Sequence, residues 1–377
     1  MSLKIFAIAS FFTAFALTFL LTPAAIKLAP KIGAVDVPGD GRRMHTKPTP
    51  RFGGLGIFAG VMLSIVCFAW FFPSSAPDYP HYGGKIEGLI AGGILIYIVG
   101  VLDDLFGLPA KAKFLLQILC ASVEWGFGVR ITFFTNFFGE GVGYLGVVAS
   151  LLVTVLWIVG ITNTINLVDG LDGLAAGTVA IASLSIAYTA VLQQDVMYMY
   201  MVVIPMVAIA GGTLGFLPFN FHPAKIFMGD GGALFLGFML ASVSVVGSVK
   251  GATVIATMIP ALVLGLPIFD TCFAIFRRLT SGRPIMEADG GHLHHRLMAA
   301  GMGQVRSVLT MYGISGVMGV VAVLFSRDLF VESGALFIIA ATFVYILLSD
   351  AKSPYVNLRG VNAAKVERKE RRKSKKF

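Results

Sequence analysis

Eleven long, uninterrupted apolar stretches constrain this chain more than any other feature of its sequence. A helix needs about 20 apolar residues to cross the hydrocarbon core of a bilayer. Continuous apolar runs also favour helices over the alternating strands of a membrane barrel. The sequence therefore predicts an all-α polytopic membrane protein with about eleven transmembrane helices. The stretches run roughly over 5–26, 52–73, 86–102, 113–129, 143–162, 172–192, 197–217, 231–249, 252–276, 306–326 and 334–349.

The composition excludes a soluble fold of this size. Of the 377 residues, 56% are hydrophobic and only 13% are charged, whereas about a quarter of the residues in a soluble domain are charged. Intrinsic disorder is excluded as well, because disordered chains have low hydrophobicity. The net charge of +9 would suggest a nucleic-acid partner in a soluble protein. In a membrane protein, the positions of the basic residues relative to the bilayer have to be considered before the net charge is interpreted. We expect no nucleic-acid partner.

The lysines and arginines predict the orientation of the chain. If the N-terminus is outside, 24 of the 29 basic residues fall on the inner side, 10 of them after residue 351. Inner loops of membrane proteins carry an excess of Lys and Arg, which predicts an outside N-terminus and a cytoplasmic C-terminus. We expect residues 1–350 to form a single transmembrane domain. Residues 351–377 are interpreted as a disordered basic tail attracted to anionic lipid.

Unusual polar residues concentrate in the predicted inner loops. Asp103 and Asp104 stand together at a predicted helix C-terminus, where the helix dipole disfavours negative charge, so a cationic partner is expected. Several carboxylates with an amide suit Mg²⁺, which is commonly shared with substrate phosphates. Lys111 and Lys113 add positive charge nearby. The pattern is typical of a metal and pyrophosphate site for phosphoryl transfer.

Several of these features allow a second interpretation. A lone Asp at a helix end is commonly a cap. The Gly53-Gly54 and Gly231-Gly232 pairs permit close helix packing, or the Gly229-Asp230-Gly231-Gly232 helix start presents backbone N–H groups to a phosphate. Phe227 either stacks on a nucleobase or faces lipid. The His292-Leu-His294-His295 loop favours an anion clamp over zinc, since zinc needs further Cys or His ligands.

Five motifs together resemble the polyprenyl-phosphate N-acetylhexosamine-1-phosphate transferase superfamily, glycosyltransferase family 4. The resemblance covers about residues 20–310, and the eleven spans and histidine loop resemble the bacterial undecaprenyl-phosphate N-acetylglucosamine-1-phosphate transferases. The peptidoglycan branch, phospho-N-acetylmuramoyl-pentapeptide transferase, is similar but usually has ten spans and a different histidine loop. The motifs are Val-Asp36-Val-Pro with His45-x-x-Pro-Thr-Pro-Arg51-x-Gly-Gly, Val-Leu-Asp103-Asp104, Asn166-Leu-Val-Asp169-Gly-Leu-Asp172-Gly, Lys225-Ile-Phe-Met-Gly-Asp230 and His292-Leu-His294-His295-Arg296.

The resemblance implies a reaction in which UDP-N-acetylglucosamine and undecaprenyl phosphate give undecaprenyl-diphospho-N-acetylglucosamine and UMP. It implies Mg²⁺ as cofactor, with Mn²⁺ as a substitute, and a catalytic domain over residues 1–350. The active site is expected at the cytoplasmic face of the plasma membrane. Such a reaction begins a cell-envelope glycan such as teichoic acid or O-antigen. The partners implied are the UDP-sugar, undecaprenyl phosphate and the bilayer, and a homodimer is kept open.

The resemblance also implies roles for individual residues. Asp230 and Asn166 would bind Mg²⁺, Asp103 would act as base or nucleophile, and Asp104 would support that role or the metal. Asp169 is placed in the site without an assigned role. The remaining residues would bind substrate: Asp172 and Phe227 the uracil, Lys111 and Lys113 the phosphates, His292, His294, His295 and Arg296 the sugar and diphosphate, and Asn220, His45 and Arg51 other parts of the substrates.

Two alternatives stay open at this point. The segment Glu287-Ala-Asp289-Gly-Gly lacks the Lys or Arg that relatives commonly carry after the Asp. The sugar could therefore be another UDP-N-acetylhexosamine or UDP-N-acetylmuramoyl-pentapeptide. A protein of a different class, an ion-coupled secondary transporter, would place its polar groups near the membrane midplane. Here they stand at the inner ends of the spans, which favours the transferase.

Overall fold

The structure, a computed structural model, describes residues 3–37, 48–70, 79–135, 142–192, 196–247, 260–280, 293–299 and 301–350. These residues are almost entirely helical, as predicted. The helices are α1 Leu3–Leu28, α2 Gly54–Trp70, α3 Tyr79–Phe106, α4 Ala110–Gly126, α5 Val147–Val168, α6 Leu174–Leu192, α7 Val196–Asn220, α8 Gly229–Val246, α9 Gly265–Thr280, α10 Leu293–Ala299, α11 Gln304–Ser326 and α12 Phe330–Asp350.

Two short antiparallel hairpins and one 3₁₀ turn accompany the helices. Strand β1 (Val35–Asp36) pairs with β2 (Thr49–Pro50), with Val35 opposite Pro50. Strand β3 (Phe133–Thr135) pairs with β4 (Val142–Tyr144). The 3₁₀ turn Ala29–Ile32 links α1 to β1. Because β2 directly precedes α2, the first hairpin sets where the chain enters that helix.

Eight helical segments of the described chain are long and apolar enough to cross a membrane. Each corresponds to a predicted span, so the all-α, multi-pass membrane fold is confirmed. The other three predicted spans overlap α2 and α4, of 17 residues each, and α9, of 16 residues, and residues 252–259 of the predicted span 252–276 lie outside the described residues. Because these three helices are short for a membrane span, the count of eleven spans stays a prediction. The eight segments are Lys4–Ile32, Gly84–Phe106, Val147–Val168, Leu174–Leu192, Tyr200–Asn220, Gly229–Val246, Gln304–Ser326 and Phe330–Leu347.

Helix α8 is the centre of the bundle. All of its residues except Asp230 are buried, and it packs against α2, α3, α5, α6 and α7. A helix that is apolar on every side belongs in such an interior position. Helix α12, by contrast, lies at the periphery with most of its large side chains exposed. Asp230 therefore stands in the first turn of the most buried helix of the protein.

Glycines allow α2 and α3 to approach the start of α8. A Cβ atom on Gly54 would lie 2.7 Å from Cα of Gly232, and a Cβ atom on Gly100 would lie 2.7 Å from the carbonyl carbon of Asp230. Small residues permit this kind of close helix contact in membranes. The packing interpretation of the Gly53-Gly54 and Gly231-Gly232 pairs is therefore supported. Three helices meet where the polar residues of the inner loops converge.

Candidate active site

Asp230 is the centre of a cluster of charged side chains. Its Oδ1 accepts a hydrogen bond from Nδ2 of Asn166 at 2.9 Å and lies 3.3 Å from Nη2 of Arg51. Its Oδ2 accepts a hydrogen bond from Nζ of Lys113 at 2.7 Å. Asn166 lies on α5, Lys113 on α4 and Arg51 just before α2. Residues distant in sequence thus meet at one carboxylate.

Asp103, in the last turn of α3, is joined to Asp230 through Lys113. Nζ of Lys113 donates to Oδ2 of Asp103 at 2.8 Å as well as to Asp230. The other Asp103 oxygen, Oδ1, accepts the backbone N–H of Leu108 at 2.7 Å. The sequence predicted a cationic partner for the carboxylate pair at this helix C-terminus. For Asp103 that partner is Lys113.

Asp104 caps the N-terminus of α8. Its side chain is 2% exposed, and its two oxygens accept the backbone N–H groups of Asp230 and Gly231, both at 2.8 Å. Nε of Arg51 lies 3.1 Å from Oδ1 of Asp104. A carboxylate at this position satisfies N–H groups that a helix leaves unpaired. Two N–H groups in the first turn of α8 are therefore already bound to the Asp104 carboxylate. The alternative in which the start of α8 binds a phosphate requires these same N–H groups.

Arg51 is positioned by its own backbone. Its N–H donates to the carbonyl of Ala34 at 2.9 Å, and the N–H of Phe227 donates to the carbonyl of Pro50 at 2.8 Å. Burial would lower the pKa of the Arg51 guanidinium, but Asp104 and Asp230 outweigh it and raise that pKa. The side chain is therefore a permanent cation fixed between two carboxylates.

A buried amide pair supports the two residues that contact Asp230. Nδ2 of Asn163 on α5 donates to Oε1 of Gln117 on α4 at 2.6 Å, and Gln117 is fully buried. Gln117 follows Lys113 by one helical turn, and Asn163 precedes Asn166 by nearly one turn, so these pairs lie close along each helix. The contact fixes α4 against α5 and keeps Lys113 and Asn166 at Asp230.

Asp169 ends α5 beside the cluster, and its N–H donates to the carbonyl of Ile165 at 3.2 Å. Burial, and then the negative charges of Asp230 and Asp104, raise the pKa of the Asp169 carboxyl well above its usual value. The nearby Arg51 opposes that effect. The structure therefore places Asp169 in the electrostatic neighbourhood of the cluster.

Asp172 and Asn220 join the turn after α5 to the loop before α8. Oδ2 of Asp172 lies 2.8 Å from Nδ1 of His222 and accepts the N–H of Ala224 at 3.2 Å. The Asn220 side chain accepts the N–H of Gly173 and donates to the carbonyl of Ile226, both at 3.0 Å. With both amide ends bound to backbone, Asn220 braces the two segments. A substrate contact of Asn220 stays a prediction.

His222 was not identified by sequence reasoning. The available signal was a histidine in the polar segment between Asn220 and Asp230, but nothing in the spacing pointed to Asp172, which lies in another loop. Phe227 of the same segment is partly buried. Its N–H donates to the carbonyl of Pro50, and its carbonyl accepts the N–H of Gly53. The structure thus places Asp172, His222 and Phe227 around one loop.

The remaining predicted residues lie outside this set of contacts. Lys111 is exposed on the first turn of α4. His295 and Arg296 lie on α10, whose first N–H, from Leu293, donates to Oδ1 of Asp270 at 2.9 Å. Burial and the nearby Arg277 lower the pKa of Arg296. His45, His292 and the side chain of His294 lie outside the described residues.

The cluster has the oxygen donors that Mg²⁺ requires. The Asp230 carboxylate and the Asn166 amide are hard oxygen ligands, and Mg²⁺ usually takes one or two carboxylates together with water and substrate phosphates. No group of three His, Cys, Asp or Glu side chains spaced to hold a metal occurs within the described residues. The oxygen atoms of Asp230 and Asn166 thus suit a Mg²⁺ that is shared with a phosphorylated substrate.

Comparison with known proteins identifies the family. Residues 86–248 match the family described as glycosyl transferase family 4. A probable undecaprenyl-phosphate N-acetylglucosaminyl 1-phosphate transferase of Bacillus subtilis is 40% identical over 316 residues, which are 84% of each chain. A decaprenyl-phosphate N-acetylglucosaminephosphotransferase of Mycolicibacterium smegmatis is 40% identical over 80% of this chain and 77% of its own. A phospho-N-acetylmuramoyl-pentapeptide-transferase of Anoxybacillus flavithermus is 31% identical over 80% of this chain and 92% of its own. The chain belongs to glycosyl transferase family 4.

Proposed function

We propose that the chain transfers N-acetylglucosamine-1-phosphate from UDP-N-acetylglucosamine to undecaprenyl phosphate. The products are undecaprenyl-diphospho-N-acetylglucosamine and UMP. The observation that carries the proposal is the cluster in which Lys113 and Arg51 join Asp230 to Asp103 and Asp104. The names of the 40% identical relatives support the same reaction.

The reaction exchanges one phosphoanhydride bond for another. An oxygen of the lipid phosphate attacks the phosphorus bonded to the sugar, and the bond between that phosphorus and the oxygen bridging to UMP breaks. A phosphate monoester has a second pKa near 6, so the lipid phosphate is largely ionised at neutral pH. The main task is therefore to bring two anions together, and positive charge at the site meets that need.

Asp103 would act on the attacking lipid phosphate. Its two oxygens accept hydrogen bonds from Lys113 and from the backbone of Leu108. A carboxylate held in this way is a weak nucleophile, which supports direct attack by the lipid phosphate over a covalent phospho-enzyme. Asp103 would then accept the remaining proton of the lipid phosphate or position Lys113 beside it.

Asp230 and Asn166 would hold Mg²⁺, or Mn²⁺ in its place. The ion supplies positive charge at the diphosphate when it is bound. Asp104 would keep Asp230 in place through the first turn of α8, since it binds the N–H of Asp230 itself. Asp169 would stand at the edge of the metal site without an assigned role.

The remaining predicted site residues would contact the substrates. Asp172 and Phe227 would bind the uracil, while Lys113, Lys111 and Arg51 would face the phosphates. The segment with His292, His294, His295 and Arg296 would contact the sugar and diphosphate, and His45 and Asn220 would contact other parts of the substrates. For the residues outside the described chain, the support is the motif alone.

We further propose eleven spans, an outside N-terminus and an active site at the cytoplasmic face of the plasma membrane. The distribution of 24 basic residues on one side supports this topology. Residues 1–350 would form the catalytic domain and residues 351–377 a basic tail, and a homodimer is kept as the assembly to examine. Such an enzyme would catalyse the first membrane step of a cell-envelope glycan.

The sugar is the part of the proposal that most needs a test. Identity to the N-acetylglucosamine-phosphate relatives is 40%, against 31% to the pentapeptide transferase. The purified protein would be incubated with Mg²⁺, undecaprenyl phosphate and a panel of UDP-sugars, with UMP and lipid-linked product measured. We expect turnover with UDP-N-acetylglucosamine. Absence of UMP with every sugar would refute the transferase, and turnover only with UDP-N-acetylmuramoyl-pentapeptide would move it to the peptidoglycan branch.

A further inference from the structure

The loop between α7 and α8 is anchored to its surroundings at several independent points. The N–H of Lys225 donates to the carbonyl of Phe219 at 2.8 Å, and the N–H of Phe227 donates to the carbonyl of Pro50 at 2.8 Å. The Asn220 side chain holds the loop at the carbonyl of Ile226. None of these contacts involves the side chain of His222. The loop should therefore keep its conformation when that side chain is shortened.

The turn that carries Asp172 is held just as firmly. The N–H of Gly173 donates to Oδ1 of Asn220 at 3.0 Å, and the hydroxyl of Tyr312 donates to the carbonyl of Gly173. Gly173 has a φ of +80°, which favours glycine at this position. The backbone next to Asp172 is thus fixed, and the orientation of its carboxylate is left to side-chain contacts.

The two oxygens of Asp172 have different surroundings. Oδ2 contacts both His222 Nδ1 and the N–H of Ala224. Among the residues that the structure describes, Oδ1 has no hydrogen-bond donor. The Asp172 side chain is 17% exposed and that of His222 is 41% exposed, so the pair is accessible from the aqueous side. One oxygen is occupied by protein, and the other is available to a ligand.

We propose that His222 is a positioning residue that orients the Asp172 carboxylate toward the pyrimidine ring of the nucleotide substrate. The inference rests on the proposed function and deepens its nucleotide subsite. A uracil ring presents one N–H donor between two carbonyl acceptors, and a carboxylate oxygen without a partner is a suitable acceptor for that N–H. By holding Oδ2, His222 and Ala224 leave Oδ1 for the ring, while Phe227 on the same loop supplies an aromatic face.

The position of His222 separates its role from that of the reacting groups. Its contact is with Asp172, whereas Lys113, Arg51 and Asn166 surround Asp230. Loss of His222 should therefore weaken nucleotide binding and leave the chemical step intact. An effect on binding alone distinguishes a positioning residue from a residue at the reacting phosphorus.

The test compares the full-length wild type with His222→Ala, His222→Asn and Arg306→Ala, each purified in the same lipid nanodiscs. Arg306 is an exposed basic residue in the first turn of α11 that makes none of the contacts described for this loop, and it serves as the control. Equilibrium binding would be measured for UMP and for 3-methyl-UMP, which lacks the imide N–H. The KM values for both substrates and kcat would be measured in parallel.

For His222→Ala we expect UMP binding to weaken, and KM for the UDP-sugar to rise, by about three- to tenfold, the effect of one lost hydrogen bond. The preference for UMP over 3-methyl-UMP should fall by a similar factor, while kcat and the KM for undecaprenyl phosphate should stay within about twofold. His222→Asn should recover most of the binding, because its amide N–H can donate to Asp172. Arg306→Ala should match the wild type.

Three results would overturn the inference: unchanged UMP affinity in His222→Ala, equal weakening of UMP and 3-methyl-UMP, or a loss of kcat with unchanged KM. Because UMP binding is measured without turnover, the first two results are separate from failure of the proposed function. A wild type that binds UMP but forms no product with any UDP-sugar would refute the transferase. A wild type that turns over, with a His222→Ala variant that binds UMP normally, would refute only the role of His222.

Discussion

Asp230 contacts three other side chains of the site, since Asn166, Arg51 and Lys113 all bind its two carboxylate oxygens. Asp230→Asn keeps the shape of the side chain and one acceptor oxygen but removes the charge that a divalent cation requires. We expect Mg²⁺-dependent turnover to fall by at least about 100-fold, the size of effect seen when one charge-stabilising group is removed from an active site. UMP release is the measurement.

The control for Asp230→Asn is the amount of folded protein, measured by size-exclusion profile and thermal unfolding. Mn²⁺ binding, followed by electron paramagnetic resonance in the presence of UDP, gives a second measurement that does not depend on turnover. Wild-type rates, or wild-type Mn²⁺ binding, would remove Asp230 from the metal site.

A second prediction at the residue scale concerns the contacts of Asp104 with the start of α8. Both of its oxygens accept backbone N–H groups of α8, and an Asn at this position would direct an NH₂ group toward one of those donors. We expect Asp104→Asn to destabilise the protein by about 1–3 kcal/mol, the cost of leaving a buried donor unpaired. The check is a lowered midpoint of thermal unfolding, together with lowered activity.

Asp103→Asn is the matched comparison for Asp104→Asn, since the two residues are adjacent and share the end of α3. Asp103 binds Lys113 and the N–H of Leu108, and neither contact involves a backbone N–H group of α8. Its substitution should lower turnover with a smaller change in unfolding temperature. Equal unfolding temperatures for the two variants would contradict a capping role specific to Asp104.

Individual residues differed in how far their surroundings could be predicted. The motif pointed to Asp230 and Asn166 as partners, and they are in contact at 2.9 Å. The capping contact of Asp104 and the contact of His222 with Asp172 were missed. Each joins residues far apart in the chain, and no local spacing rule relates a carboxylate to a helix that begins more than a hundred residues later.

At the scale of elements, the close approach of α2 and α8 determines where Asp230 lies. Gly54→Ala would place a methyl group against Gly232, at a position where Cβ lies 2.7 Å from Cα of the facing glycine. Backbone on both sides leaves little room for adjustment. We expect a destabilisation of about 1–3 kcal/mol from overpacking, with a loss of turnover because α8 carries Asp230. Thermal unfolding and UMP release are the measurements.

Gly160→Ala on α5 is the matched control for Gly54→Ala. A Cβ atom there meets nothing within 4 Å, and Ala favours a helix over Gly by about 1 kcal/mol. Its stability should equal or exceed that of the wild type, and its turnover should be unchanged. Equal behaviour of the two glycine variants would show that the α2 and α8 contact does not constrain the site.

The helices themselves could be predicted from the hydrophobicity of the sequence. Eight predicted spans correspond to helices long enough to cross a membrane, because lipid forces backbone hydrogen bonding within each apolar segment. The bounds of α4 were less accurately predicted than its length. Predicted span 113–129 runs past α4, which begins at Ala110 and ends at Gly126, since hydrophobicity alone does not show where a helix stops.

At the scale of the whole molecule, the basic residues predict the side of the membrane that each terminus occupies. Single cysteines would be introduced as Lys4→Cys and Ser374→Cys after replacement of Cys67, Cys120 and Cys272. A membrane-impermeant maleimide should label Lys4→Cys in intact cells and Ser374→Cys only after permeabilisation. Labelling of Ser374→Cys in intact cells would contradict the cytoplasmic C-terminus.

The basic tail offers a further prediction at this scale. All residues to which the proposed reaction assigns a role precede position 351. Deletion of residues 351–377 should therefore leave kcat and both KM values within about twofold in detergent, where surface charge of the bilayer is absent. A larger loss would assign the tail to the catalytic domain.

The amino-acid sequence by itself determined that the chain is a multi-pass helical membrane protein, and it predicted that the unusual polar residues gather at the inner ends of the spans. Both follow from local properties, namely apolar length and the cost of placing charge in lipid. Only the tertiary structure decided which polar groups meet: Asp104 with the start of α8, Lys113 between two carboxylates, and His222 with Asp172. These contacts depend on how the helices pack, and helix packing is set by glycine contacts and buried amides distributed along the entire chain.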